Sequence, residues 1–243
     1  MSLPDLSGKT ALVTGASRGI GRVTALALAK AGAHVLALAR TAGALEELDD
    51  EIRAIGGSAS LIPFDLAEGD GIERLAGALT ERFEALDILV LNAASLGELA
   101  PLPDIDPKVW NHTLALNVTA NWRLIRALDP MLRRAKRADV IGLSSRIGGE
   151  EARAYWGTYA ITKAAFEMLA KTYAEETKNS AVRVSIISPG AMRTDMRAQA
   201  MPGEAPNSLP PAENITPLVY HLLTREERAP MRISLHEWRE KNL

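Results

Sequence analysis

The pattern that most limits how this chain can fold is a series of short, continuously apolar runs separated by stretches with helical spacing. The runs are TALVTG, HVLALAR, SLIPFD, DILVLNAA, DVIGLSS and VRVSIISPG, and they read as buried strands. Between the second and third, Leu45, Leu48, Ile52 and Ile55 lie on one helix face, and Ile72, Leu75, Leu79 and Phe83 repeat that spacing later. Apolar strands joined by helices imply a parallel sheet with both faces covered, because right-handed crossovers place helices on either side. The expected fold class is α/β, a doubly wound parallel sheet. No linker, composition break or internal repeat divides the 243 residues, so 1–243 reads as a single domain. A Pro-rich stretch, AQAMPGEAPNSLPPAEN, reads as a loop over 198–214, and loops of that length are usually functional or mobile.

Composition removes several classes of function. The formal net charge is -2, with 24% charged residues, so nothing attracts nucleic acid or an anionic membrane. With no cysteine, disulfides, thiolate metal sites and cysteine nucleophiles are excluded. The histidines His34, His112, His221 and His236 never form a metal-ligand pair, and no metal is expected. There is no basic segment followed by an apolar one at the N-terminus and no run long enough to span a bilayer. A cytoplasmic location is expected.

The first strand ends in TGASRGIG, which opens the next helix. Gly15, Gly19 and Gly21 let the backbone turn tightly and approach a ligand, and the free amides at a helix N-terminus suit a pyrophosphate. An acidic residue at the end of the second strand would bind the ribose hydroxyls of NAD. Here Ala39 stands in its place, followed by Arg40 and Thr41, and Arg18 lies in the glycine turn. Arginine pairs with phosphate oxygens, so NADP(H) is expected over NAD(H). Asp65, ending the third strand, is placed either to accept a hydrogen bond from an adenine amino group or to cap the next helix.

Further along, YWGTYAITK sets Tyr159 and Lys163 four residues apart, with Tyr155 one turn earlier. With TGASRGIG, LNAAS at 91–95, Asn117 in LALNVTAN, Ser145 in GLSSRIGG and SPGAMRT, this order resembles the short-chain dehydrogenase/reductase family over nearly the whole chain. The departures are Leu91 and Ala94 in the N-N-A-G segment, and the tail MRISLHEWREKNL, which lacks the family's usual glycine. By overall pattern the chain looks closest to bacterial oxidoreductases related to 3-oxoacyl-carrier-protein reductases.

The resemblance implies a Rossmann-like fold and hydride transfer between a nicotinamide and a carbonyl or secondary alcohol. Asn117, Ser145, Tyr159 and Lys163 would be catalytic. The cofactor contacts it implies are Gly15, Ser17, Arg18, Gly19, Ile20, Gly21, Arg40, Thr41, Asp65, Leu66, Asn92, Ala93, Ala94, Tyr159, Lys163, Pro189, Gly190, Met192 and Thr194. Such chemistry needs a proton donor beside the hydride. A phenol, ordinarily near pKa 10, must be shifted by roughly 2 to 3 units to exchange protons near neutrality, and an ammonium at i+4 favours the phenolate. Ser145 would orient the substrate oxygen, and Asn117 would support a water relaying protons to Lys163. Ser144 is expected to face the sheet, and Tyr155 to pack or line the pocket beside Trp156. Met192, Met196, Met201 and Trp156 would line a substrate pocket closed by the loop at 192–214. Helices around 108–134 and 158–178 would pair subunits as a homodimer or homotetramer. A catalytically silent dinucleotide-binding sensor or scaffold is the alternative, and the retained Ser145, Tyr159 and Lys163 weigh against it. A serine hydrolase lacks its G-x-S-x-G elbow and a histidine placed to activate the serine.

Overall fold

The computed structural model describes residues 3–228 and 231–242. In chain order its elements are β1 (Thr10–Thr14), α1 (Gly19–Lys30), β2 (His34–Ala39), α2 (Ala42–Ala54), β3 (Ser58–Pro63), α3 (Ile72–Arg82) and β4 (Ile88–Leu91). There follow α4 (Pro107–Leu114), a π-helical stretch (Ala115–Thr119), α5 (Ala120–Arg134), β5 (Ala138–Leu143), a short turn of helix α6 (Arg146–Gly149), α7 (Gly157–Thr177) and β6 (Val182–Ser188). The chain closes with α8 (Asp195–Ala200), α9 (Thr216–Thr224), β7 (Arg232–Ser234) and α10 (Leu235–Asn242).

The strands form one seven-stranded sheet in the order β3-β2-β1-β4-β5-β6-β7, parallel throughout. This is the doubly wound, Rossmann-like arrangement the apolar runs imply. Successive strand residues face opposite sides, and the two cores separate accordingly. Ala11, Val13, Val35, Ala37, Ile88 and Val90 pack with Leu28, Leu45, Leu48 and Ile52 of α1 and α2. Leu12, Leu36, Leu38, Leu89 and Leu91 pack with Ile72, Leu79, Leu124, Leu128 and Phe166 on the other face. Gly142 allows the closest approach there, since a Cβ at that point would lie 2.7 Å from the Phe166 ring.

Three sequence expectations change. The six apolar runs omit β7, whose three residues RIS carry a single buried side chain, Ile233. The loop at 198–214 is largely folded, because α8 runs into it and short 3-10 turns occupy Pro206–Ser208 and Ala212–Ile215. Arg197 pairs with both oxygens of Glu204, at 2.6 and 2.8 Å, and the Arg193 N–H donates to the Pro210 carbonyl. These bonds hold the segment in place. Finally, Ile55 and Phe83 lie just past the ends of α2 and α3, and Ile55 is exposed. No helix among the described residues is long and apolar enough to cross a membrane.

Candidate active site

The strand order reverses between β1 and β4, and the crevice beyond the carboxyl ends of such strands is where α/β folds bind ligands. A cavity of about 890 Å³ opens there. Thr14 ends β1, and its hydroxyl donates to the Val90 carbonyl while accepting from the amides of Asn92 and Ala93. The Asn92 side-chain amide then donates to the carbonyls of Thr14 and Gly15 at 2.9 and 3.2 Å. Asn92 therefore holds the glycine turn in shape from the neighbouring strand. Gly15 has φ +65°, and a Cβ on it would come within 2.8 Å of Asn92 Nδ2. A Cβ on Gly21 would run into the Gly15 carbonyl. Where α1 begins, no side chain caps its first amides and its first turn carries no acid, so those N–H groups remain available to an anion.

All but one of the cofactor residues expected from sequence line this cavity, from Gly15, Ser17, Arg18, Gly19 and Ile20 through to Pro189, Gly190, Met192 and Thr194. Gly21 is the exception; it is buried behind the turn it permits. Arg40 and Thr41 follow β2 at the rim. Asp65 Oδ1 accepts from the Ala67 amide and so caps the turn after β3 rather than α3 itself, while Oδ2 faces Arg40 Nη1 at 3.8 Å. Arg18 faces Asp195 at 3.6 Å. Thr194 accepts from the Arg197 amide and caps α8.

Ser145, Tyr159 and Lys163 meet in the same cavity. Ser145 follows β5 and caps α6, its Oγ accepting from the Ile147 amide. Ser144 also borders the cavity, but its buried hydroxyl donates to Glu167 at 2.6 Å. Gly148 has φ +90°, and a Cβ there would collide with the Ala160 carbonyl, so the turn packs directly on the start of α7. Lys163 is buried, donates to the Leu143 carbonyl at 2.7 Å, and lies 5.7 Å from the Tyr159 ring centre.

The electrostatics depart from the sequence reading. Burial raises the Tyr159 pKa above that of a free phenol, and the neighbouring Ser145 side chain opposes this. Lys163 is itself pulled down to about 8 by burial, against the attraction of Glu167. Spacing alone sees the favourable charge and not the cost of desolvating both groups.

Asn117 does not line the cavity. It lies in the π-helical stretch, where its side chain accepts from the Ser95 amide and donates to the Ser95 carbonyl and the Thr162 hydroxyl, and it ties three segments together. Tyr155 neither packs nor lines the pocket. It is 62% exposed at φ +70°, while the next residue, Trp156, meets Tyr159 edge-on at 5.9 Å. Met192, Met196 and Trp156 line the cavity, and Met201 packs behind them. Ser234, His236 and Glu237 also line it; no apolar run marks β7, so the sequence offers no signal for them.

A family model for the short chain dehydrogenases matches residues 9–205. The chain is 34% identical to the uncharacterized oxidoreductase YciK of Escherichia coli K12, over 92% of this chain and 89% of that one. It is 38% identical to the rhamnolipid-biosynthesis 3-oxoacyl-[acyl-carrier-protein] reductase of Pseudomonas aeruginosa, over 79% of this chain and 76% of that one. Among solved structures, a short chain dehydrogenase of Shigella flexneri complexed with NADP superposes with a TM-score of 0.91 at 32% identity, covering 97% of this chain and all of that one (100%). One from Escherichia coli CFT073 complexed with NADPH gives 0.88 at 32% identity, covering 97% and 99%. Motif order, sheet order and matched length coincide, and the chain belongs to the short-chain dehydrogenase/reductase family of oxidoreductases.

Proposed function

We propose that the protein is an NADP(H)-dependent oxidoreductase, acting as one domain over 1–243, that moves a hydride between a nicotinamide and a carbonyl or secondary alcohol. The observation that carries this is the meeting of Ser145, Tyr159 and Lys163 in the cavity that the uncapped start of α1 also faces. The glycine turn fits a dinucleotide, because no side chain caps the first amides of α1 and a Cβ at Gly15 would press on Asn92 and Ala93 at the floor of the turn. Arg18 and Arg40 line the cavity where the ribose 2'-phosphate of NADP would be recognised, and Ala39 ends β2 without a charge. That the Shigella and Escherichia coli relatives were crystallised with NADP and NADPH supports the same choice.

A bound nicotinamide supplies or accepts the hydride. In the reducing direction, Tyr159 gives its hydroxyl proton to the carbonyl oxygen as that oxygen gains charge, and the reverse reaction returns it. Ser145 donates a hydrogen bond to the same oxygen and holds it beside Tyr159. The Lys163 ammonium stabilises the phenolate left behind, and it is the residue that would hold the nicotinamide ribose hydroxyls. Asn117 acts indirectly, by fixing the π-helical stretch against Ser95 and α7. Leu96, Ile147, Trp156 and Met196 give the substrate end an apolar wall.

Nicotinamide fluorescence titration with NADPH and NADH, then a panel of ketones, β-keto esters and acyl thioesters, tests the proposal. Tyr159→Phe should lower kcat at least about 100-fold, the usual contribution of a positioned acid, with NADPH affinity retained. Turnover by that variant near the wild-type rate would sink the mechanism.

A further inference from the structure

Three consecutive residues at the end of β5 are each clamped by a different side chain. The Leu143 carbonyl accepts from Lys163 at 2.7 Å, the Ser144 hydroxyl donates to Glu167 at 2.6 Å, and the Ser145 carbonyl accepts from Arg232 Nη2 at 3.2 Å. Lys163 belongs to the family motif, whereas Glu167 and Arg232 do not figure in the motif reading of the sequence. Glu167 lies one turn beyond Lys163 on α7 and is 2% exposed. The same Oε1 that accepts from Ser144 accepts from Arg232 Nε at 2.9 Å, and Oε2 faces Lys171 Nζ at 3.5 Å. Arg232 Nη1 reaches Glu150 in the turn after β5. A Cβ on Gly149 would run into Glu167 Oε1 and lie 2.9 Å from Arg232 Nη2, so that turn packs on the pair itself.

A buried ion pair is a costly way to fill space, and an apolar residue of equal volume does as well for stability. Its value here is in what it holds. We propose that Glu167 and Arg232 are positioning residues that set the Ser144–Ser145 strand end, and with it Lys163, in register for the reaction; this rests on the function proposed above. The pair acts in two ways. Arg232 fixes the main chain that carries Ser145, and the Glu167 charge opposes the burial that pulls Lys163 down. The charged and titratable groups around the assembly are Tyr159, Lys163, Glu167 and Lys171 on α7, Arg232 on β7, and Glu150 after β5. The three-residue strand β7 thereby becomes part of the site.

The test uses Glu167→Gln, Arg232→Met and Arg232→Lys in the full chain, with thermal unfolding and NADPH fluorescence to establish that each is folded. Nitrogen-15 NMR of the Lys163 side chain needs no substrate. In Glu167→Gln, which keeps the shape and loses the charge, Lys163 should titrate at lower pH than in the wild type, because the Glu167 charge no longer opposes its burial, and the alkaline fall in reduction rate should move to lower pH with it. With ethyl acetoacetate as the carbonyl probe, Arg232→Met should lose roughly 10- to 100-fold in kcat, the scale of misplacing a reacting group. Its KM for NADPH should not change, and Arg232→Lys should recover part of the loss. An unchanged Lys163 titration in Glu167→Gln, or wild-type kcat in Arg232→Met, overturns the proposal. Should Arg232→Met fail to fold, Arg232→Gln, which loses the charge, takes its place, and full kcat there overturns the proposal equally. If the wild type reduces no carbonyl, or Tyr159→Phe keeps its rate, the functional reading has failed, and the Lys163 titration still decides the role of the pair.

Discussion

Lys163 should cost the protein stability while serving its chemistry. Burial lowers its pKa from 10.5 to about 8, so the folded chain binds this proton less tightly than the unfolded chain does. The sign follows from linkage: below about pH 8 both states hold the proton and the folded state bears the full cost. Between about 8 and 10.5 the unfolded state holds more protons, and stability rises with pH. At about 1.4 kcal/mol per pKa unit the cost is about 3 kcal/mol. Lys163→Met removes it but strands the Leu143 carbonyl, which loses its 2.7 Å donor, at about 1 kcal/mol. The variant should therefore be about 2 kcal/mol more stable than wild type at pH 7, a rise of roughly 4 to 8 °C in Tm for a chain of this size, while losing activity. Denaturant unfolding of both proteins from pH 6 to 11 measures the difference, and effects of other titrating groups cancel between them. Its diagnostic feature is that the gap closes as pH rises from 8 through 10.5. A constant gap, or a wild type more stable than the variant at pH 7, refutes the reasoning.

Arg40→Ala should weaken NADPH binding by roughly 5- to 10-fold, about 1 kcal/mol for an exposed arginine already facing a carboxylate, and leave NADH unchanged; equal losses for both would remove the 2'-phosphate assignment. Gly21→Ala drives a Cβ into the Gly15 carbonyl and Asn92, so fluorescence titration should show both dinucleotides binding at least about 10-fold more weakly, at the cost of a distorted turn. Phe166→Ala empties the contact over Gly142 between α7 and β5 and should destabilise the fold by about 3 to 5 kcal/mol in urea unfolding.

Much of the site lies at positions that local rules mark. The strand that ends in TGASRGIG opens a helix whose first amides no side chain caps, and a tyrosine and lysine four residues apart share a helix face. Those features depend on a few neighbouring residues, so they survive without knowledge of the fold. The exchange of sides along each strand is equally local: Ala11 and Val13 go one way and Leu12 the other.

Other parts depend on residues far apart in the chain. Asn117 reads as part of a proton relay, yet its side chain is spent on Ser95 and Thr162, partners 22 and 45 residues away. Arg232 lies 65 residues from Glu167 and 87 from Ser145, on a strand too short to announce itself. The amino-acid sequence by itself determined the doubly wound sheet, the glycine turn and the Tyr159–Lys163 pair, because hydrophobic period, glycine and helical spacing act within a few residues. Only the tertiary structure decided the directions in which burial shifts the pKa of each member of that pair, the burial of Asn117 and the clamp on the end of β5, because desolvation and long-range hydrogen bonding exist only once distant segments meet.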